Sequence, residues 1–242
     1  MCTVTFIPVG DKFFITSNRD EQQARPTAIP PALYQLRTGL VLFPKDSNAG
    51  GSWFTIHENG HAVILLNGGW QKHLPAPPYR KSRGLVLLDL ADRDSPASAF
   101  EEIDLDNIEP FTIVSWQGEE LYECRWDGKE KYSSTLNPAL PHIWSSVTLY
   151  DEATIRKRAR WFSEWLARNP EPGQEEILLF HQFTGDGDRR NDLLMNRNDQ
   201  VLTVSITSAA FADNQVFVKY IDLVRQQSTL TGIELNKAIF SK

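Results

Sequence analysis

The chain has 242 residues, 41% hydrophobic, 11% aromatic and 23% charged, a composition that excludes a disordered or fibrous chain and predicts a packed core. A net charge of −6 with basic residues scattered along the chain argues against the cationic surface that nucleic acid requires. The longest purely apolar run, Ala62 to Leu66, falls far short of the ~20 residues that cross a bilayer, and no signal-like apolar stretch opens the chain, so no transmembrane segment and a cytoplasmic location are expected.

Thr3 to Pro8 alternates polar and apolar side chains, and after Gly10-Asp11 the segment Lys12 to Ser17 resumes the pattern, predicting a hairpin that begins at residue 2. The proline-rich stretch Pro26 to Pro31 is expected to break regular structure, and Gly39 to Phe43 to form a short strand. Ser52 to His57 and His61 to Leu66 are strand-like, joined through Asn59-Gly60, a pair suited to the positive φ of a tight turn. Ser82 is a suitable N-cap for a helix over Leu85 to Leu90, and Ser95-Pro96 for another. Phe111 to Trp116, Glu120 to Trp126 and Lys129 to Ser134 should form a meander. Asp151 to Arg168 carries Ile155, Ala159, Phe162, Trp165 and Leu166 at helical spacing. A shorter helix is expected over Glu175 to Phe183, then a polar loop to Asn191 and strands over Val201 to Thr207 and Gln215 to Leu223. Strands at both ends, helices in the middle and no flexible linker predict one α+β layered domain over residues 1–242.

Two cysteines, Cys2 and Cys124, make neither a disulfide framework nor a Cys-x-x-Cys zinc pair. Removal of Met1 would give Cys2 a free α-amine, whose pKa near 8 makes it a usable base beside the thiol nucleophile. A small apolar packing role is the alternative for a cysteine at this position. The polar run Asn18-Arg19-Asp20-Glu21 follows the second strand of the hairpin, where it would return alongside residue 2; an arginine there could lower a thiol pKa and an aspartate could hold an amine. A solvated turn is its other reading. Five scattered histidines form no metal or haem-attachment motif. Asp186-Gly187-Asp188 lacks the ligand pattern of a calcium loop, and no metal is expected.

Met1-Cys2-Thr3, Asn18-Arg19-Asp20-Glu21, Gly50-Gly51-Ser52-Trp53, Asn59-Gly60, Leu65-Leu66-Asn67-Gly68, Ser82-Arg83-Gly84 and Pro110-Phe111 together resemble the NRDE family, that of transport and Golgi organisation protein 2. The same segments are more distantly similar to cysteine N-terminal nucleophile hydrolases that cleave bile salts and penicillin V. Asn18 and Asp20 match the Asn and Asp of the hydrolases' Arg-Asn-x-Asp, while Ser17 stands at its arginine and Arg19 falls between. The resemblance implies a four-layer αββα sandwich, with Cys2, Asn18, Arg19, Asp20 and Asn67 as catalytic candidates, Asn67 supplying an oxyanion donor. Ser145-Ser146 followed by Arg156 is faintly similar to a later Ser-Ser and distal arginine of those enzymes.

Gly68-Gly69-Trp70 adjoins that segment, where glycines permit close backbone approach and a tryptophan can cover a ligand. Glu21, Trp53, Gly68 and Trp70 are therefore the ligand-binding candidates, although Trp70 is equally suited to packing. Two functions compete: hydrolysis of a non-peptide C–N amide bond in a small molecule, without a cofactor, or non-enzymatic binding and trafficking of haem or an apolar lipid or acyl ligand.

Overall fold

The computed structural model describes residues 3–236. The expected opening hairpin is formed by β1 (Thr3–Val9) and β2 (Lys12–Gln22), joined through Gly10 at a φ of +58°. There follow β3 (Ile29–Gln35), β4 (Leu40–Lys45), β5 (Phe54–His57), β6 (Ala62–Asn67), α1 (Arg83–Ala91), α2 (Pro96–Glu102) and the meander β7 (Phe111–Gln117), β8 (Glu120–Trp126) and β9 (Lys131–Leu136). The remainder comprises β10 (His142–Ser145), α3 (Glu152–Arg168), α4 (Gln174–Phe183), β11 (Asn196–Arg197), β12 (Val201–Ala212), β13 (Gln215–Asp222) and β14 (Gln227–Glu234).

The strands make two antiparallel sheets. One runs β10-β1-β2-β12-β13-β14 with β11 on β12, and the other runs β3 to β9 in chain order. Helices α1 and α2 cover the second sheet, while α3 and α4 cover the first, giving the αββα layering.

Strand alternation builds this arrangement. Val4, Phe6, Phe13 and Ile15 enter the core between the sheets, whereas Ile7 and Phe14 join Phe162, Ile177 and Phe180 beneath α3 and α4. The Phe13 ring lies 4.3 Å from both Phe211 and Trp116, so one aromatic stack ties the sheets together. Asp151 caps α3 through the Thr154 N–H at 2.8 Å.

Three features depart from expectation. The proline-rich stretch contains β3, an edge strand with a register shift between Ile29 and Ala32, and an edge tolerates Pro30 and Pro31 because their missing N–H groups break no central ladder. The short edge strand β10 and the polar edge strand β14 lack a strong alternating pattern. On α3, Ala159 is exposed and its neighbour Arg158 is buried, because the guanidinium finds hydrogen-bond acceptors inside. Among the described residues no helix is long and apolar enough to span a membrane.

Candidate active site

The segment Asn18-Arg19-Asp20-Glu21 lies within β2, not after it, and alternation sends its side chains to opposite sides of the sheet. Asn18 and Asp20 face the helix side. The Asn18 amide donates to the Leu193 and His181 carbonyls at 2.8 and 3.2 Å. Asp20 accepts from the hydroxyls of Tyr150 at 2.8 Å and Thr203 at 2.6 Å. Arg19 and Glu21 face the other way, where the Arg19 guanidinium donates to Asp46 at 2.9 Å and Glu21 at 3.4 Å and lies 4.5 Å from the centre of the Trp53 ring.

Arg19, Glu21, Trp53 and Asn67 help to line a cavity of about 380 Å³, with Arg25, Asp46, Tyr79, Lys81, Arg83 and Glu109. The first four were legible as candidates. Arg83 lies in the Ser82-Arg83-Gly84 segment of the resemblance but was not named as a site residue; Arg25, Asp46, Tyr79, Lys81 and Glu109 were missed, since each gains meaning only through its partners in space. Burial alone would push the Asp46 carboxyl up, but the Ala49 N–H and the guanidiniums of Arg25 and Arg19 hold it below the usual carboxylate range. Burial would lower Arg25, and its hydrogen bond to Asp46 with the charge of Glu21 raises it instead. Glu109 accepts from Arg83 at 3.0 Å and lies 3.1 Å from His73.

Gly51 and Gly84 let two backbones meet at the cavity rim. A Cβ on Gly51 would lie 2.4 Å from the Gly84 carbonyl carbon, and the Ser52 N–H donates to the Gly84 carbonyl at 3.1 Å. This contact seats the first turn of α1 against the cavity, which brings together the Gly-Gly-Ser-Trp and Ser-Arg-Gly segments. The Trp53 indole N–H is buried without a hydrogen-bond partner among the described residues.

Asn67, at the end of β6, also lines a second cavity of about 230 Å³ with Gly68, Ser145 and Ser146. Ser146 donates to its backbone carbonyl at 2.7 Å, while its side-chain amide makes no hydrogen bond among the described residues. The following N–H, on Gly68, is committed to the Pro110 carbonyl at 3.0 Å. Gly68 adopts φ +88°, and a Cβ there would strike Val147 at 2.6 Å. Trp70 lies elsewhere: half exposed, stacked against Arg125 at 4.3 Å, it lines a third cavity of about 700 Å³ with Tyr150 and Arg197.

Cys2 lies outside the described residues. The described chain begins at Thr3, which pairs with Asn18 on β2 and with Ser145 on β10. Arg156 is exposed and pairs with Glu152 on its own helix. Two residues on, Arg158 is fully buried and donates to the Thr3 hydroxyl at 2.5 Å. Among the histidines, His57 is buried, and that burial lowers its pKa. His181 is fully buried, and burial together with the charge of Arg158 lowers its pKa to about 3.

Facing antiparallel sheets between helix layers, with β1 flanked by β10 and β2 in one of them, define the fold of the N-terminal nucleophile hydrolases. Among solved structures, a Caenorhabditis elegans ortholog of N-acylethanolamine-hydrolyzing acid amidase has a TM-score of 0.59 at 12% identity, over 86% of this chain and 92% of its own. Two variants of conjugated bile acid hydrolase from Clostridium perfringens give 0.58 at 12% identity, over 100% of this chain and 99% of theirs, and 0.56 at 11%, over 98% of each. Residues 1–229 match the Transport and Golgi organisation 2 family, and the chain belongs to it. A search of curated proteins found no significant match.

Proposed function

We propose that the protein is an N-terminal nucleophile hydrolase of a small molecule, cleaving a non-peptide C–N amide bond that carries a polar or charged group. The observation that carries this reading is Asn67, which lines two cavities with an amide that makes no hydrogen bond among the described residues, on a backbone held by Ser146 and Pro110. The charged lining of the larger cavity supports a polar substrate portion. The printed names of the structural neighbours, an amidase and a bile acid hydrolase, support the reaction class.

In this mechanism the α-amine of Cys2, exposed by loss of Met1, takes the thiol proton as the sulfur bonds to the amide carbon. Asn67 donates to the oxygen that gains the carbonyl electron pair. That pair returns as the C–N bond breaks, and the leaving nitrogen takes the proton from the ammonium. Water then adds to the thioester and gives its proton to the amine. Collapse breaks the C–S bond, releasing the acid and restoring the thiol.

The test is the intact mass of the purified protein, followed by incubation with a panel of N-acyl amides. Loss of one methionine is expected, with turnover abolished in Cys2→Ser and reduced about 10²–10³-fold in Asn67→Leu. A retained Met1, or turnover indifferent to Cys2→Ser, overturns the proposal.

A second reading, binding of haem or a lipid or acyl ligand without catalysis, is favoured by one observation: the Gly68 N–H is spent on Pro110, which leaves Asn67 without an adjacent backbone partner for an oxyanion. A haem Soret shift, or a lipid retained in native mass spectrometry, with no amide turnover would select it.

A further inference from the structure

The two sheet paths end on four edge strands, β10 and β14 in one and β3 and β9 in the other. An edge is an open row of N–H and C=O groups, and proteins guard such rows with proline, bulges, charge or brevity. β3 carries Pro30, Pro31 and a register shift, β10 has four residues, and β9 opens on Lys131. β14 has none of these guards. Its eight residues pair with β13 without a shift and hold one charge, Glu234, at the far end.

Alternation sorts the side chains of β14. Ile233 is buried and Thr231 half-buried on one face, whereas Ser228, Leu230, Gly232 and Glu234 on the other are exposed. Leu230 shows 68% of its surface, an apolar side chain in the middle of an open edge. β3 packs against β13 and β14, so its exposed Ile29 and Leu33 add apolar surface to the same border of the sandwich. β14 lines none of the three cavities described above.

We infer that β14 is a homodimer interface, at which two copies pair antiparallel about a two-fold axis through Leu230 and join their sheets into one. A two-fold interface must be self-complementary, and opposed residues of antiparallel strands share a face. The axis therefore passes through a residue and not between two. Centred on Leu230, it sets the two Leu230 side chains together, Thr229 against Thr231 and Ser228 against Gly232, with no like charges opposed. Glu234 then falls opposite Gln226 of the second copy, beside the half-exposed Arg225. Each end of the interface gains an acid next to a base, and the two Glu234 side chains stand at opposite ends. Centred on Thr231 instead, Leu230 would meet Gly232 and Glu234 would meet Ser228, which matches neither the leucines nor the charges.

The experiment is sedimentation velocity of the full chain from about 1 to 200 μM, with amide hydrogen exchange read at both ends of that range. A species of twice the chain mass should grow with concentration, and the β14 amides should gain protection as it forms. Leu230→Lys, which opposes two ammonium groups, should leave a monomer whose urea midpoint at low concentration is unchanged. Glu234→Arg should weaken association about tenfold, and adding Arg225→Glu should restore it. A monomer throughout overturns the inference, as does a dimer in which β14 gains no protection or one indifferent to both Leu230→Lys and Glu234→Arg. If Leu230→Lys does not fold, the charge reversals decide: an undiminished dimer in Glu234→Arg, or no recovery in the double variant, overturns the Leu230-centred interface.

Discussion

Asn18 Oδ1 accepts the Nδ1–H of His181 at 2.7 Å, joining residues 163 positions apart. The Asn18 amide is already donating to two carbonyls, so its oxygen must accept, and the Thr5 hydroxyl, 2.8 Å from Nε2, completes the neutral ring. Burial is the main cause that lowers the His181 pKa from 6.5 to about 3. Between those values the unfolded chain binds a proton that the folded protein refuses. Stability is therefore complete above pH 6.5 and falls as pH drops towards 3, by up to ~1.4 kcal/mol per pH unit from this group. Urea midpoints of wild type and His181→Gln should diverge at pH 7 and converge towards pH 4; parallel profiles would contradict the assignment.

Gly51→Ala should be strongly destabilising, because its Cβ would sit 2.4 Å from the Gly84 carbonyl carbon and 2.7 Å from the Leu85 nitrogen. Backbone cannot step aside as a side chain can, so a loss of about 3 kcal/mol is expected. Gly50→Ala is the control: φ is +72° but nothing lies within 4 Å, and the cost should be about 1 kcal/mol. Equal denaturation midpoints for the two variants would refute the crossing.

Asp46→Asn should cost ~3–5 kcal/mol, since it strips Arg19 of its nearest anion in a buried setting. The Asp46 carboxyl is held below the ordinary 3.8 by the Ala49 N–H and two arginines, against the upward push of burial. Its contribution is present above pH 3.8 and lost as pH falls through the folded value. The gap between Asp46→Asn and wild type should stay constant from pH 7 to 5 and close only in stronger acid; thermal unfolding at pH 7, 5 and 3 checks this.

Cys124 should resist alkylation in the native protein. Burial is the largest cause that pushes its thiol up to about 11, with Glu101 and Glu123 adding to it. Iodoacetamide at pH 8 should leave Cys124 unlabelled until denaturant is added, and peptide mapping reports this directly. Labelling of Cys124 in the folded protein would show that the meander opens.

The opening hairpin, the meander and the helices were legible because each carries its own period or turn residue, as with the cap at Ser82. The polar run from Asn18 to Glu21 was not legible as strand, because what makes a buried strand of polar residues tolerable lies far off in sequence: His181, Leu193, Tyr150, Thr203 and Asp46. Arg158 was hidden for the same reason. A charged residue beside Ala159 looks solvated until Thr3 and the Asn191 and Asp192 carbonyls arrive to receive it. The comparison with known families found the opening motif, but which face each of its residues takes required the register of β2.

That register divides one four-residue motif between two jobs. Asn18 and Asp20 are hydrogen-bonded on the helix side, while Arg19 and Glu21 meet in the cavity. A mutational scan of residues 18–21 should alternate like the teeth of a zip, with changes at Asn18 and Asp20 acting on the helix-side packing and changes at Arg19 and Glu21 acting on the cavity. Family members that differ only at Arg19 and Glu21 would then share one scaffold and differ in the lining of this cavity.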